Sequence, residues 1–344
     1  MSVERSPKLI APYLAVYLFV ISFTFYLTMN YWPQTNSDST KKVRINHGTT
    51  LSNISDKLSK KGLVTNKWVF EFLIKIKGLE KSMQAGTFRI SDVITNSEIV
   101  NNIVFGSPDR KKVTFLEGWN MNQVARHLSE KMNFNYFDVM KLFSDKKLIK
   151  NLQLSSNTLE GYLFPETYYF FEGADKISVI KRLVKEHKKF WNDENLSKAD
   201  SLGFTPYEII TLASIIEGEA IYDSERPIIS AVYHNRLKIG MKLQADPTVQ
   251  YIIDDGPRRL LNKDLRTKSP YNTYMYEGLP PGPINSPGKQ SLIAALNPQI
   301  NDYLYFVAKG DGYHTFSKNE QEHERAKRAF QRVRKKVKRE RTGL

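Results

Sequence analysis

The longest apolar pattern in the chain is Leu9 to Trp32, LIAPYLAVYLFVISFTFYLTMNYW, which contains no charged residue. As a helix it would cross a hydrocarbon core of ~30 Å. Tyr31 and Trp32 fall where an interfacial aromatic belt belongs. A cleavable signal peptide has a shorter apolar region of about 7–15 residues and a small-x-small cleavage site, and TMNYWPQT offers no such site. A buried core helix of this length would carry a polar face. The pattern therefore predicts an uncleaved single span over 9–32, preceded by residues 1–8 and followed by a linker, 33–42, that includes the polar stretch QTNSDST. Arg5 and Lys8 precede the span while Lys41, Lys42 and Arg44 follow it, so charge alone does not orient it.

Beyond the linker, polar and apolar positions repeat. VRINHGTTLSNISDKL (43–58) and VTFLEGWNMNQVARHL (113–128) align without gaps: Val, Gly and Leu coincide at the first, sixth and last positions, and apolar residues recur at the third, ninth and twelfth. Each copy predicts a strand, a glycine turn and an amphipathic helix, with Leu51, Ile54 and Leu58 on the apolar face of the first. We assign the region 43–155 to this strand–helix type, ending at the polar break Ser155–Asn157. Such a unit resembles the LysM-like modules that bind bacterial wall glycans; a duplicated packing unit without a ligand fits the pattern equally well.

The region 156–330 is denser in motifs. Thr205-Pro206-Tyr207-Glu208 reads as a capping box with proline at the first helical position. A second helix, SERPIISAVYHNRLKIG, is predicted to be capped by Ser224 and to end near Gly240. SPYNTYMYEGLPPGPINSPG (269–288) has four prolines after Gly278 that fix backbone angles, so it predicts a rigid, shaped loop. From Glu320 to Arg341 the chain reads as a basic amphipathic helix, and 331–344 forms a basic tail. The fold class expected is α+β: one transmembrane helix, LysM-like βα subdomains and a mixed α/β catalytic domain.

Composition narrows the chemistry. Of 344 residues, 41% are apolar, enough for a sizeable core, and the formal charge of +15 suits anionic partners without choosing among lipid, acidic polymer and nucleic acid. With no cysteine there is no disulfide and no thiol nucleophile. The six histidines include no HExxH pattern, so neither a metal nor a cofactor is called for.

The stretch ASIIEGEA (213–220) ends an apolar run with two carboxylates. At about 100° per residue, Glu217 falls inside the arc of Ile209, Ile210, Leu212, Ala213, Ile215 and Ile216, while Thr211, Ser214 and Gly218 form a polar side. Glu219 points about 200° away, so the two cannot be a side-by-side acid pair. A carboxyl in an apolar surround loses hydration and gains proton affinity, as a general acid requires. Equally, it could pair with a buried cation and be structural. Around it in sequence stand Glu160, Tyr162, Glu166, Tyr168, Gln244, Asp246, Thr248, Tyr271, Asn272 and Asn285, a mixture of aromatic, amide and carboxylate groups suited to sugar rings or to packing. Glu219 is read as orienting substrate or pairing with Arg226, and His314 as a hydrogen-bonding partner within the site.

LEGYLFPETYYF, ASIIEGEA, LQADPTVQY, SPYNTYMYEGLPPGPINSPG, AALNP and YLYFVAKGDGYHTFSKNEQEH, in this order behind an anchor, resemble the bacterial endolytic murein transglycosylase family. The resemblance implies a membrane-bound enzyme that cuts the MurNAc–GlcNAc bond inside nascent peptidoglycan strands and leaves 1,6-anhydro ends. It implies residues 1–8 in the cytoplasm and the remainder on the periplasmic side of the inner membrane. The family's catalytic glutamate carries over to Glu217; Gly218 replaces a residue that is often charged and would loosen the helix end. The implied partners are glycan strands, the plasma membrane and peptidoglycan synthases, the last identified by no residue here. Two alternatives stay open: a tethered glycan-binding scaffold, and a muramidase-type hydrolase with Asp246 as second carboxylate. Nucleic acid is not an expected partner, because the implied topology puts the basic tail outside the cytoplasm.

Overall fold

A computed structural model of the chain describes residues 7–31, 40–46, 48–91, 94–254, 256 and 258–342. Residues 1–6, Trp32 of the predicted belt and the tether Gln34–Ser39 lie outside the described residues, as do the side chains of 335–344 in the basic tail. The chain forms two compact units, one comprising 1–112 with 169–175 and the other 113–168 with 176–344.

In the first unit, helix α1 (Pro7–Tyr31) contains a segment, Pro12–Tyr31, long and apolar enough to cross a membrane. Its side chains from Tyr13 to Leu27 are largely exposed, as a lipid-facing helix requires. Only its end is covered, where Met29 and Asn30 are buried and the Met29 carbonyl accepts from Asn96 Nδ2 at 2.9 Å. Strand β1 (Thr40–Ile45) pairs antiparallel with β2 (Gly86–Ser91), from Thr40 opposite Ser91 to Ile45 opposite Gly86. Lys41 and Lys42 thus belong to a strand and not to the linker. Around this ribbon pack α2 (Leu51–Lys60), α3 (Lys67–Ile76) and α4 (Asn96–Val104), capped by Thr50, Asn66 and a Thr95/Glu98 capping box. Val43, Ile54, Leu58, Phe70, Ile90 and Ile99 make the core. The first predicted strand–turn–helix is therefore present, with Gly48 at φ +77° in its turn.

Strand β3 (Arg110–Thr114) carries the chain into the second unit, and β4 (Thr167–Phe171), its neighbour in a two-stranded sheet, carries it back. The second strand–turn–helix is also present: β3, Gly118 at φ +74°, and α5 (Met121–Met132). It falls in the second unit, so the division lies at Lys112 and not at Ser155. The physical reason is packing. The apolar side of α5, with Val124, Ala125 and Leu128, is buried, and the helix packs on α6 (Tyr136–Phe143), which is followed by α7 (Lys146–Asn151). The polar break at Ser155–Asn157 is only a turn between elements of one body.

The remaining elements are α8 (Lys176–Phe190), α9 (Asp193–Ser201), α10 (Pro206–Glu219), α11 (Arg226–Lys238), α12 (Asp246–Ile252), α13 (Lys289–Leu296), the antiparallel hairpin β5 (Tyr305–Ala308) and β6 (His314–Ser317), and α14 (Glu320–Thr342). Helix α10 starts at the predicted capping box and is packed by α11, α12 and α13. Every residue from Ile209 to Ile216 is buried, so the predicted polar side does not face water. Thr211 and Ser214 are satisfied internally instead: Thr211 Oγ1 donates to the Tyr207 carbonyl at 2.8 Å, and Ser214 Oγ donates to the Thr211 carbonyl and accepts from the Ile284 N–H. Helix α11 begins later than predicted. Asp223–Glu225 form a 3-10 turn, Ser224 does not cap, and the helix ends as expected just before Gly240, at φ +69°.

Gly161, at φ +81°, shows how closely the proline loop is held to α10: a Cβ there would lie 2.5 Å from Pro283 and 2.8 Å from Ile210. A left-handed backbone alone costs a side chain about 1–2 kcal/mol, and the overlap adds to it. Gly161→Ala is therefore expected to lower the thermal midpoint by several degrees, measured by calorimetry; an unchanged midpoint would contradict this packing.

Candidate active site

The site forms where three buried elements of the second unit converge. Helix α10 ends at Glu217–Glu219, α11 begins at Arg226, and α13 begins just after Gly288. The Glu217 side chain is 6% exposed and its two oxygens are held separately. Oε2 accepts the Gly288 N–H at 2.9 Å and the Ser291 hydroxyl at 2.8 Å, and Oε1 accepts Arg226 Nη2 at 3.2 Å. Arg226, also 6% exposed, is itself aimed by Asp223, whose Oδ1 accepts its Nε at 2.8 Å, and it donates through Nη1 to Ser291 Oγ at 2.5 Å. The carboxylate thus meets the positive end of α13 and a guanidinium together.

This surround is polar, not the apolar one predicted from the helical arc. The arc argument placed Glu217 correctly among buried positions but could not see the loop and helix brought from seventy residues downstream. It also paired Arg226 with the wrong carboxylate. Glu219 receives the Tyr233 hydroxyl at 3.0 Å; burial, together with the nearby Asp246 charge, pushes its carboxyl up to about 7. Gly218 between them is not a loosened end: a Cβ there would stand 2.6 Å from Pro247, so glycine lets α12 pack against α10.

The other predicted positions separate by burial. Glu160 is 4% exposed and anchors the start of α5, its carboxyl accepting the Met121 N–H at 3.0 Å and the Tyr251 hydroxyl at 3.4 Å. Burial pushes it up to about 8. Tyr162 stacks on Tyr207, and Tyr168 donates to the Phe164 carbonyl; both rings are buried. Thr248 joins Thr273 and the Ala245 carbonyl, and Asn272 bridges the Leu265 and Thr267 carbonyls, so both tie the proline loop to its neighbours. Asn285 lies closer to Glu217: its Nδ2 donates to the Ser214 carbonyl at 2.8 Å, while its buried Oδ1 has no partner among the described residues. His314 is pinned by Glu225 through both its backbone N–H, at 2.9 Å, and Nδ1, at 2.8 Å.

Glu166, Gln244 and Asp246 are exposed and Tyr271 is half-buried. Asp246 accepts the Tyr274 hydroxyl at 2.5 Å and Tyr271 leans on Tyr251. Gln244 holds a left-handed backbone, φ +46°. A cavity of about 1060 Å³ opens elsewhere, at the N-terminal end of α10 beside Tyr207, His234 and Pro281, and Glu217 does not line it.

Sequence reasoning missed Ser291, Gly288 and Glu117. The first two carried a signal: Gly288 opens the octet KQSLIAAL, which ends in five apolar residues, and a helix start in a glycine- and proline-rich loop is a natural anion cradle. Glu117 lies in the glycine turn of the second repeat, a unit whose sequence pattern points to a LysM-like module or a packing unit and singles out no residue of that turn.

The buried carboxyls set a pH dependence. Glu160 is neutral in the folded chain up to about pH 8 but ionises in the unfolded chain near the ordinary carboxylate value. The unfolded state therefore binds fewer protons in that window, and stability falls as pH rises from about 5 to 8. Glu160→Gln, which cannot ionise, should flatten that fall in denaturant midpoints. Parallel curves for the two proteins would show that Glu160 is charged in the fold.

A model of the YceG-like family matches residues 43–329. The chain is 32% identical over 311 residues to a protein named endolytic murein transglycosylase from Bacillus subtilis (strain 168), covering 86% of each chain. A protein of the same name from Streptococcus pneumoniae is 27% identical over 326 residues, covering 84% of this chain and 58% of its own length. Among solved structures, a yceG-like protein from Listeria monocytogenes matches at 31% identity and a TM-score of 0.58, over 84% of this chain and 99% of that one. The matched segment contains the cradle around Glu217, both strand–turn–helix repeats and the proline loop, and the chain belongs to the YceG-like family.

Proposed function

We propose that this chain is a peptidoglycan lytic transglycosylase that cuts within glycan strands, with Glu217 as its single acid and base. The reaction class rests on the near full-length similarity to a named endolytic murein transglycosylase. The assignment of Glu217 rests on one observation: it is a buried carboxylate held by three donors, one of them a hydroxyl that can reverse its role.

Protonated Glu217 gives its proton to the oxygen linking N-acetylmuramic acid to N-acetylglucosamine, and the C1–O bond breaks. Positive charge develops on the muramyl ring. The carboxylate then takes the proton from that sugar's C6 hydroxyl as O6 bonds to C1, closing the 1,6-anhydro ring. No water is consumed, and the proton removed equals the proton given. Intramolecular attack needs orientation more than a second nucleophile. Glycosidases that use water need two carboxylates in defined positions; Asp246 would be the second in a hydrolase, yet its carboxylate is engaged by Tyr274.

The cradle supports both halves of this cycle. Gly288 N–H and Arg226 stabilise the carboxylate left after proton transfer. Ser291 Oγ donates to that carboxylate, and by rotating about Cβ–Oγ it accepts from the protonated acid. Among the remaining positions, Tyr271, Gln244, Asp246, Glu166 and the unpartnered Oδ1 of Asn285 are proposed to contact sugar, and the buried positions to shape the loops that present them. The first unit is proposed to act as a LysM-like module: its groove beside Asn46, Thr49, Asn53 and Asp56, about 480 Å³, has the polarity of a hydroxyl-binding surface. Helix α1 would anchor the enzyme, with both units on the extracytoplasmic side where the polymer lies. Work beside peptidoglycan synthases belongs to the same proposal.

Uncrosslinked glycan strands incubated with the full chain in detergent should gain internal 1,6-anhydro-muramyl ends, read by mass spectrometry. Glu217→Gln should reduce the rate by at least about a hundredfold, the scale of a lost general acid. New reducing ends in place of anhydro ends would turn the reading to hydrolysis, and full activity in the variant would remove Glu217 from the chemistry.

A further inference from the structure

The first unit carries a concentration of positive charge that neither its apolar core nor the cradle around Glu217 uses. A groove of about 730 Å³ runs between β1 and the end of α2. Among the described residues that line it stand Lys42 and Arg44 from β1, and Lys57, Lys60 and Lys61 from α2 and its C-cap, against the single carboxylate of Glu172. That carboxylate lies 3.9 Å from Lys42 Nζ. Asp56, an acid close enough to act on Lys60, is paired with Lys67. Five cations thus share one concave surface with little counter-charge.

Specific contacts set the walls of this groove. Lys57 Nζ donates to the Arg44 carbonyl at 3.4 Å, which ties α2 to β1. Gly173, at φ +93°, leaves the room in which the Arg44 side chain lies, because a Cβ there would fall 2.8 Å from Arg44 Nε. Lys57, Lys60 and Lys61 stand three and four residues apart on α2, where like charges repel. The negative end of the helix offsets part of that repulsion. It does not account for Lys42 and Arg44, which a strand brings to the same groove. A cleft lined by one sign of charge concentrates its field on an anion that enters.

The place of the groove in its unit selects the anion. Helix α1 belongs to the same unit, and its end is fixed to the start of α4, where the Met29 carbonyl accepts from Asn96. Strand β2 ends at Ser91, opposite Thr40 at the start of β1, and Asn96 follows five residues later, a span of at most about 18 Å. Lys42 is two residues beyond Thr40, so the basic groove begins at the end of the ribbon that leads to the docked helix. We propose that the groove binds the phosphate of anionic lipid headgroups in the membrane that α1 spans, and so holds the first unit down on the bilayer surface. This rests on the reading of α1 as an anchor. Lysine ammoniums supply point charges to a phosphodiester, and Arg44 can add two parallel hydrogen bonds. Lys57 and Lys60 also border the smaller polar groove, whereas Lys42, Arg44 and Lys61 line the basic one alone.

The test titrates the full chain in dodecyl maltoside with phosphatidylglycerol or phosphatidylcholine and counts bound lipid by native mass spectrometry. Wild type should prefer phosphatidylglycerol by at least about tenfold. Each lost charge should weaken its binding about fivefold, so the combined Lys42→Gln, Arg44→Gln and Lys61→Gln variant should lose on the order of a hundredfold. All three side chains are exposed, and the charge-keeping pair Lys42→Arg and Lys61→Arg should bind as wild type does. Equal affinity for the two lipids, or a triple variant with wild-type affinity for phosphatidylglycerol, would overturn the proposal. Inorganic phosphate that displaces the lipid at equal concentration would also overturn it, because the occupant would then be a free anion, and so would tighter capture of a DNA duplex at the same salt. In nanodiscs, amide hydrogen exchange over 40–62 should be slower with phosphatidylglycerol present than in phosphatidylcholine alone, and identical rates would count against it equally. Alkaline washing of membranes reads the anchor separately: release of the chain would overturn the reading of α1, while lipid selectivity in detergent stands or falls with the groove.

Discussion

The organisation of the second unit depends on one buried contact, the Glu217 carboxylate against the start of α13 and the Arg226 guanidinium. Two charges taken out of water are expensive unless each is fully hydrogen-bonded. Here Glu217 has donors on both oxygens, and Arg226 is shared among Glu217, Asp223 and Ser291. That arrangement requires three helix ends to meet at one point. Helix α10 can deliver its end there because it is buried from Ile209 to Ile216, which leaves it little freedom to slide or rotate. Gly161 and Gly218 serve the same end, removing side chains where Pro283 and Pro247 must approach α10.

The cradle sets two demands against each other. A general acid must hold its proton before the reaction and release it during the reaction. Donors fixed on Glu217 stabilise the product of release, which lowers the barrier to giving the proton away. A rotatable hydroxyl at Ser291 softens this conflict because it serves both states, whereas a second backbone N–H in its place would serve only the anion. Glu160 and Glu219 show the contrasting case. Their carboxyls are buried against neutral donors, and proton affinity rises to about 8 and about 7 respectively, but Glu160 is anchored under α5 and Glu219 under Tyr233. High proton affinity without access makes a structural acid. Glu217 has a donor-rich position at the end of a buried helix, and its usefulness depends on what else stands beside it.

Local patterns made much of the fold legible. The uncharged run gave α1, period and caps gave α10, and the gapless echo gave two strand–turn–helix units whose glycines, Gly48 and Gly118, both adopt left-handed backbones. What stayed hidden was decided by distant segments. The helical arc placed Glu217 inside but filled its surroundings with apolar neighbours, since Gly288 and Ser291 lie more than seventy positions away. Arg226 was assigned to Glu219 because the two are near in sequence, while the turn at Asp223–Glu225 swings Arg226 back onto Glu217. Burial of Thr211 and Ser214 was invisible for a similar reason: a polar side chain that bonds its own helix can face the interior.

The repeat shows why local fold and local chemistry must be read separately. In both copies a strand leads through glycine into an amphipathic helix, and the apolar positions that define the echo are the ones that pack. The residue before the glycine differs between the copies: it is His47 in the first and Glu117 in the second. In the second copy the turn is clamped between Trp119 and Ser286, which carries Glu117 to Gly288. Duplication thus preserves the geometry that aims a turn, while the side chain at its tip is left to be set by whatever that turn meets. For the second copy, what it meets is the backbone that holds Glu217.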